Sequence, residues 1–193
     1  MSETAARPLR ADAERSMRAI LEGAERILSV DPGASMEQIA AAAGVARTTI
    51  HRRFASRGAL IEALALDAAR QLARAVDDGR PDTAPAQVAL HRITANVLEV
   101  KGAWAFALGL PSEPGSEAAA LHEDLARRCI TVLERARADK LIDETADLDW
   151  VRRVYYALLG ESLHGASGDA DIDIDTLAAR IVDTLLHGAG PRS

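Results

Sequence analysis

Apolar side chains recur three and four positions apart over most of this chain, which is the spacing that places them on one face of an α-helix. Alanine is abundant, whereas glycine and proline are few and fall in clusters between the periodic stretches. Hydrophobic residues make up 48% of the chain, which is enough for a substantial core. The pattern therefore predicts an all-α fold of about nine helices.

Short polar or glycine-containing turns separate the predicted helices. The helices cover approximately residues 12–28 (or 16–28), 36–43, 47–54, 56–76, 85–100, 103–110, 116–138, 148–164 and 174–187. Gly102 is expected to end the fifth helix, and the short apolar run after it is assigned as a buried helix because its neighbours are helical. We divide the chain into an N-terminal head over about residues 10–57 and a larger helical body over residues 58–189.

The segment from Ser35 to Phe54 predicts two short helices joined by a tight turn. Ser35 is a favourable N-cap residue, and Gln38 three positions later completes a capping box. Gly44 stands where a residue in the left-handed conformation ends a helix. With the helix before it, this segment predicts a helix-turn-helix unit, whose second helix enters the major groove of DNA.

The second helix of this motif has an apolar face and a basic face. Ile50 and Phe54 point inward, whereas Thr48 and Arg52 lie almost opposite them. Residues 40–57 contain four arginines and no acidic residue, in a chain of net charge −6. This local reversal of sign predicts a polyanionic partner, and arginine and threonine suit guanine edges and thymine methyl groups. On spacing alone, an ordinary helical corner with a solvated basic face remains open.

The run AAAAGVARTTIHRRFASRGALI over residues 40–61 resembles the DNA-binding signature of the tetracycline-repressor (TetR) family of bacterial regulators. The similarity covers about residues 16–66 and extends beyond them only in length and helical layout. The chain departs from the family pattern at two positions. Ala46 replaces the usual serine or threonine cap of the recognition helix, and His51 replaces a tyrosine.

The resemblance implies a homodimer that binds double-stranded operator DNA, with repression as the favoured sign of regulation. We expect the outer face of the recognition helix to contact bases and the residues around it to contact phosphates. The predicted base contacts are Arg47, Thr48, Thr49 and Arg52, and the predicted phosphate contacts are Ser35, His51 and Arg57. Two heads related by a two-fold axis would enter successive major grooves, roughly 34–36 Å apart.

The body is predicted to bind a small-molecule effector of unknown identity. The run from Ala103 to Leu110 is the most apolar in the chain and contains two aromatic residues. In a chain with 3% aromatic residues, this pair indicates either the wall of an apolar cavity or plain core packing. The residues assigned to the predicted cavity are Trp104, Phe106, Leu125 and Tyr155.

The last two predicted helices carry broad apolar stripes with small residues between them. Such a pair suits a four-helix bundle formed with a second copy of the chain, and the TetR resemblance implies that use. The residues assigned to the dimer interface are Trp150, Leu158, Leu159, Leu163, Leu177, Ile181 and Leu185.

Nothing in the sequence favours catalysis, a metal site or a cofactor. Cys129 is the single cysteine, so neither an intramolecular disulfide nor a thiolate metal cluster is expected. The acidic run from Asp169 to Asp175 lacks the glycine and the twelfth-position acid of a calcium loop. The histidines show no metal-binding spacing, and there is no nucleophile elbow or phosphate-binding loop. We therefore expect no metal, no cofactor and no enzyme activity.

Charge and hydropathy favour a cytoplasmic protein that does not enter a membrane. No apolar run approaches the roughly 18 residues that span a bilayer, and the N-terminus lacks the apolar core of a secretory signal. Residues 1–60 carry a net charge of +2 and residues 61–193 a net charge of −8, which helps to orient the molecule on DNA. The alternative is a helical small-molecule-binding scaffold that has lost operator binding, which the missing cap at Ala46 favours.

Overall fold

The computed structural model describes the backbone of residues 6–165 and 173–189, and the side chains of residues 14–162 and 173–188. In that part of the chain there are nine α-helices and no strand, which confirms the all-α prediction. They are α1 (Ala6–Leu28), α2 (Met36–Ala42), α3 (Arg47–Arg53), α4 (Arg57–Asp78), α5 (Ala86–Ala103), α6 (Ala105–Leu108), α7 (Glu117–Ala138), α8 (Leu148–Gly165) and α9 (Ile174–Ala189). No helix among the described residues combines the length and apolarity that crossing a bilayer requires.

Most helix ends lie within a few residues of the predicted positions, but α5 does not end before Gly102. The helix continues through this glycine to Ala103, and the chain leaves the helical conformation at Trp104, where φ is −130° and ψ is 38°. A glycine in a helix costs only about 1 kcal/mol relative to alanine, so one glycine does not by itself end a helix. The sequence interpretation of Gly102 as a helix breaker is therefore wrong.

The described residues divide into two compact units. The first unit extends to Ala68 and also includes the segment Trp104–Pro111, which contains α6. The second unit comprises the remainder of α4 together with α5, α7, α8 and α9. This division by contacts falls within α4, after Ala68, whereas the sequence predicts a boundary after residue 57, where α4 begins.

The core of the first unit joins α1, α2 and α3. Its largest fully buried side chains in these helices are Ile20, Leu28, Ile39 and Ile50. Burying each of them contributes about 1.5–3 kcal/mol of hydrophobic stabilisation. At Gly23 of α1, an ideal Cβ atom would lie only 2.6 Å from the Cα of Ala43, so α1 and the end of α2 approach each other backbone to backbone.

Glu25 joins α6 to α1 within the first unit. Its carboxylate accepts hydrogen bonds from the backbone N–H of Phe106 at 2.7 Å and of Ala107 at 3.0 Å. The N-terminal N–H groups of a helix have no partner within the helix, so the Glu25 carboxylate satisfies two of them. The residue is buried, and this burial raises the pKa of Glu25 even though the two N–H groups act in the opposite direction.

The core of the second unit is built on α5, which packs against α7, α8 and α9. Three residues assigned to the dimer interface from the sequence, Leu159, Ile181 and Leu185, are buried in this core. At these positions the apolar stripes of α8 and α9 pack against helices of the same chain. Contact with a second copy through these three positions stays a prediction that their burial does not support.

The other residues assigned to the interface differ in exposure. Leu158 and Leu177 are half-buried and pack on the edge of the same core. Trp150 is 58% exposed on the surface of α8. The side chain of Leu163 lies outside the described residues, as do residues 169–172 of the acidic run.

Candidate nucleic-acid interface and effector cavity

Helix α2 begins and ends as the sequence predicts. The Ser35 hydroxyl accepts a hydrogen bond from the Gln38 backbone N–H at 3.3 Å, and the Ser35 N–H donates to Gln38 Oε1 at 2.8 Å. These two bonds complete the capping box. Gly44 has a φ of +67°, the left-handed conformation that glycine adopts with least strain. The turn into α3 is therefore fixed by local chemistry on both sides of α2.

Helix α3 begins without a side-chain cap. Ala46 occupies the N-cap position with extended backbone angles, φ −67° and ψ 146°, and makes no side-chain hydrogen bond to the first turn. Ser35 at the start of α2 has closely similar angles, φ −76° and ψ 163°, and does make that bond. The backbone at Ala46 is thus in a capping conformation, and only the oxygen atom is missing.

The polar face of α3 lies on the surface. Four of the predicted DNA-contacting residues on α3, Arg47, Thr48, His51 and Arg52, are exposed, and Thr49 is half-buried beside them. Ile50 is fully buried, and Phe54 at the end of the helix is also buried. The structure therefore brings the predicted base-contacting residues together on one accessible helix face. It leaves Ser35 exposed at the start of the neighbouring helix.

An acidic residue of α2 reaches this face, which the sequence pattern did not predict. Glu37 Oε1 lies 2.9 Å from Arg47 Nη2 and 3.7 Å from His51 Nε2. The Glu37 backbone N–H, followed by Arg47 and His51, lowers the pKa of the Glu37 carboxyl. In the absence of DNA, the basic face of α3 is therefore partly neutralised by its neighbour in the motif.

Arg57 is engaged by the loop between α1 and α2. Its Nη2 donates to the Pro32 carbonyl at 2.5 Å, and its Nε donates to the Ala34 carbonyl at 3.3 Å. The residue remains exposed overall. Because guanidinium has five N–H donors, these two bonds leave others for a phosphate. The sequence interpretation gave Arg57 only a phosphate role, whereas the structure adds the attachment of this loop.

Arg26 and Arg53 are further basic residues of the first unit that the sequence reasoning did not assign. Arg26 Nη2 donates to the Ala42 carbonyl at 2.8 Å and so ties α1 to the end of α2. Arg53 Nε is buried and has no hydrogen-bond partner among the described residues. Arg26 lies on α1 and Arg53 is the last residue of α3, but neither belongs to the exposed row of α3 residues described above.

A cavity of about 210 Å³ lies inside the second unit. Its lining is mostly aliphatic and includes two tyrosines, one cysteine and two basic residues. The residues that line it are Leu72, Val76, Leu90, Ile93, Val97, Lys101, Leu125, Arg128, Cys129, Val132, Tyr155, Tyr156 and Leu159.

Two of the four residues assigned to an effector cavity from the sequence line this one, namely Leu125 and Tyr155. Trp104 and Phe106 do not line it. They belong to the first unit, where α6 is held by Glu25 and Trp104 is buried. The apolar run after α5 therefore serves packing in the first unit, which is the second of the two interpretations that its sequence allowed.

The tyrosine and cysteine groups at the cavity wall stay protonated at neutral pH. The Tyr155 hydroxyl shares a 2.7 Å hydrogen bond with Thr94 Oγ1, and Thr94 in turn donates to the Leu90 carbonyl. Burial raises the pKa of Tyr155, raises that of Tyr156 to about 12 and raises that of the Cys129 thiol to about 11. Cys129 is therefore an apolar wall residue here rather than a reactive thiolate.

Comparison with known proteins points to one family. The model for "Bacterial regulatory proteins, tetR family" matches residues 20–64. The HTH-type transcriptional repressor LfrR of Mycolicibacterium smegmatis is 33% identical to this chain over 147 residues, which are 76% of each protein. Its similarity therefore extends well beyond the helix-turn-helix and into the second unit.

Solved structures agree with this match. The crystal structure of the TetR-like regulator LfrR from Mycobacterium smegmatis in complex with proflavine has a TM-score of 0.73 and 28% sequence identity, covering 94% of this chain and 99% of that one. The TetR family regulator PfmR from Thermus thermophilus has a TM-score of 0.75 at 17% identity, covering 87% and 97%. At that identity, the PfmR match supports the fold alone.

Proposed function

Because this chain belongs to the TetR family of DNA-binding transcriptional regulators, we propose that it is a repressor which a small molecule releases from a palindromic operator. The observation that carries the proposal is the exposed polar face of α3, held by a helix-turn-helix whose own core is buried. A family of DNA-binding regulators also argues against an enzyme.

In this proposal, α3 enters the major groove. Arg47 and Arg52 donate to guanine O6 and N7, and Thr48 and Thr49 meet thymine methyl groups or nearby polar edges. Ser35, His51 and Arg57 bind phosphates on either side of the helix and fix its register. The exposure of these side chains supports the assignment, and Arg47 must leave Glu37 in order to reach a base.

We further propose that two copies assemble through the outer surfaces of α8 and α9. Trp150 supports this assignment, because an indole that is 58% exposed is an unusual surface residue and aromatic residues are enriched at interfaces. Two-fold symmetry would place two α3 helices on successive major grooves, roughly 34–36 Å apart. A repressor of this kind acts on DNA in the cytoplasm.

The cavity of the second unit is the proposed effector site. A ligand there would favour a conformation of the dimer in which the distance between the two α3 helices does not match successive major grooves. A coupling free energy of about 1–3 kcal/mol between ligand and DNA binding is typical of such systems. The complex of LfrR with proflavine supports a ligand response in this part of the family. The alternative remains a ligand-binding scaffold without operator binding, which the uncapped Ala46 and the neutralised Arg47 favour.

Fluorescence anisotropy with the DNA upstream of the gene tests the proposal. Arg52→Ala should weaken binding about 10- to 100-fold and relax sequence preference, because it removes a bidentate base contact. Arg92→Ala removes the same charge from an exposed position on α5 and should leave affinity nearly unchanged. If Arg52→Ala binds the DNA as tightly as the wild type does, the assignment of Arg52 to a base contact is wrong. If the wild type shows no steep loss of affinity with salt, the scaffold alternative is correct.

A further inference from the structure

The charged residues that line the cavity of the second unit are all of one sign. Its charged lining residues are both basic, Lys101 of α5 and Arg128 of α7, and none of the described residues that line it is an aspartate or glutamate. The second unit lies in the acidic part of the chain, where residues 61–193 carry a net charge of −8. The basic lining of the cavity is therefore opposite in sign to the net charge of the segment that contains it.

The two basic residues differ in how their charge is compensated. Arg128 Nη2 forms a close ion pair with Asp77, which stands outside the lining. Within the part of the chain that the structure describes, Lys101 forms no ion pair, and most of the residues that line the cavity with it are aliphatic. Burial lowers the pKa of the Lys101 ammonium, in keeping with a cation that is partly removed from water. A charge in this situation is stabilised by an anion.

Building on the ligand response in the proposed function, we propose that the cavity binds a compact apolar molecule with one acidic group, whose carboxylate pairs with the Lys101 ammonium. The ion pair would restore the compensation that Lys101 lacks and form charge-assisted hydrogen bonds. A cationic ligand would meet the uncompensated Lys101 ammonium and no carboxylate in the lining, so the same cavity disfavours it.

The remaining lining residues and the volume of the cavity determine the shape and polarity of the ligand that fits. The Tyr155 hydroxyl is occupied by Thr94, and most other groups are aliphatic, so the inner wall suits a hydrocarbon or aromatic surface. The volume of about 210 Å³ lies below the range of about 300–1,000 Å³ typical of drug-sized ligands, which favours a compact molecule. The specificity of the site is then a matter of charge and size rather than of many polar contacts.

Three probes with one apolar body test the inference: naphthoate, naphthamide and naphthylmethylammonium. Calorimetric titration of the full-length protein at neutral pH should rank naphthoate about tenfold tighter than the ammonium compound. Lys101→Met should reduce that preference to about twofold or less while leaving naphthamide affinity within about twofold, because it removes the charge and keeps the apolar stem. Lys140→Met is the matched control, since Lys140 is the other lysine of the chain and does not line this cavity.

The inference is overturned if the ammonium probe binds more tightly than naphthoate, if the preference survives Lys101→Met, or if none of the probes binds at millimolar concentration. Operator release is read separately by anisotropy. Naphthoate that binds with the Lys101-dependent preference and leaves DNA bound contradicts ligand release but supports the inference. Release by proflavine with no dependence on Lys101 supports the proposed function and overturns the inference.

Discussion

The Glu37 carboxylate lies 2.9 Å from the Arg47 guanidinium, so the two helices of the DNA-binding motif are joined by an ion pair across the surface that is proposed to contact DNA. Both side chains are largely exposed, with 45% and 71% of their surface accessible to solvent. An exposed pair of this kind is weak and is screened by salt. It therefore leaves Arg47 able to exchange Glu37 for a phosphate or a base.

Glu37→Gln should raise operator affinity about two- to fivefold at low salt. The substitution frees Arg47 and removes a negative charge beside the surface that is proposed to contact DNA. The salt dependence of binding should become steeper by about one counterion, which titration of anisotropy against salt measures. Glu134→Gln, an equal charge change at an exposed position of the second unit, should alter neither quantity. Unchanged affinity in both variants would mean that Arg47 does not contact DNA.

Arg57 should have two separable roles. Arg57→Ala should lower the free energy of unfolding by about 1–2 kcal/mol, because the Pro32 and Ala34 carbonyls lose a charged donor. Arg57→Lys keeps a charge for a phosphate but cannot bridge both carbonyls with one ammonium. We therefore expect this variant to lose stability in urea denaturation while retaining most operator affinity. Full stability in both variants would limit Arg57 to DNA contact.

Ala46→Ser should stabilise the protein by about 1 kcal/mol, since the N-cap backbone already has the conformation in which Ser35 caps α2. Urea denaturation measures the effect. Ala55→Ser, at an exposed position between α3 and α4, adds the same hydroxyl outside a cap and should be neutral. A gain that is equal in the two variants would indicate an effect of the hydroxyl unrelated to capping.

Glu25 should make stability depend on pH in the direction opposite to most carboxylates. Its pKa is raised above the ordinary value of 4.5, so the folded chain holds this proton to higher pH than the unfolded chain does. The contribution of Glu25 is therefore fully present below pH 4.5 and decreases as pH rises through the folded pKa. Glu25→Gln cannot titrate. The unfolding free energy of the wild type minus that of the variant should be larger at about pH 5 than at about pH 7.5.

The helix positions and the α3 surface were predictable because their determinants are local. Periodicity located the helices, the Ser35–Gln38 pair identified the start of α2, and Gly44 identified its end. The burial of Ile50 and the exposure of Arg52 follow from their positions on one short helix. Each of these features depends on residues within about one or two helical turns of one another.

The features that the sequence did not predict depend on residues that are distant in the chain or on neighbouring helices. The bond from the Phe106 N–H to Glu25 spans 81 positions, and no periodicity relates them. Glu37 lies ten positions before Arg47 on a different helix, outside the acid-free run that defined the basic face. The apolar stripes predicted on α8 and α9 are present and pack into the core of the second unit. An apolar stripe does not specify whether it packs against the same chain or against a second copy.

Gly23 limits how the DNA-reading surface can diversify. Any larger residue there would collide with the backbone of Ala43 and push apart the two helices that support α3. Gly23 therefore sets the closest distance between α1 and the end of α2, and a side chain at this position would change how α3 is held. Exchanging the outward side chains of α3 leaves this contact untouched, so under the proposed function it is the substitution that alters the bound sequence without altering the helix packing.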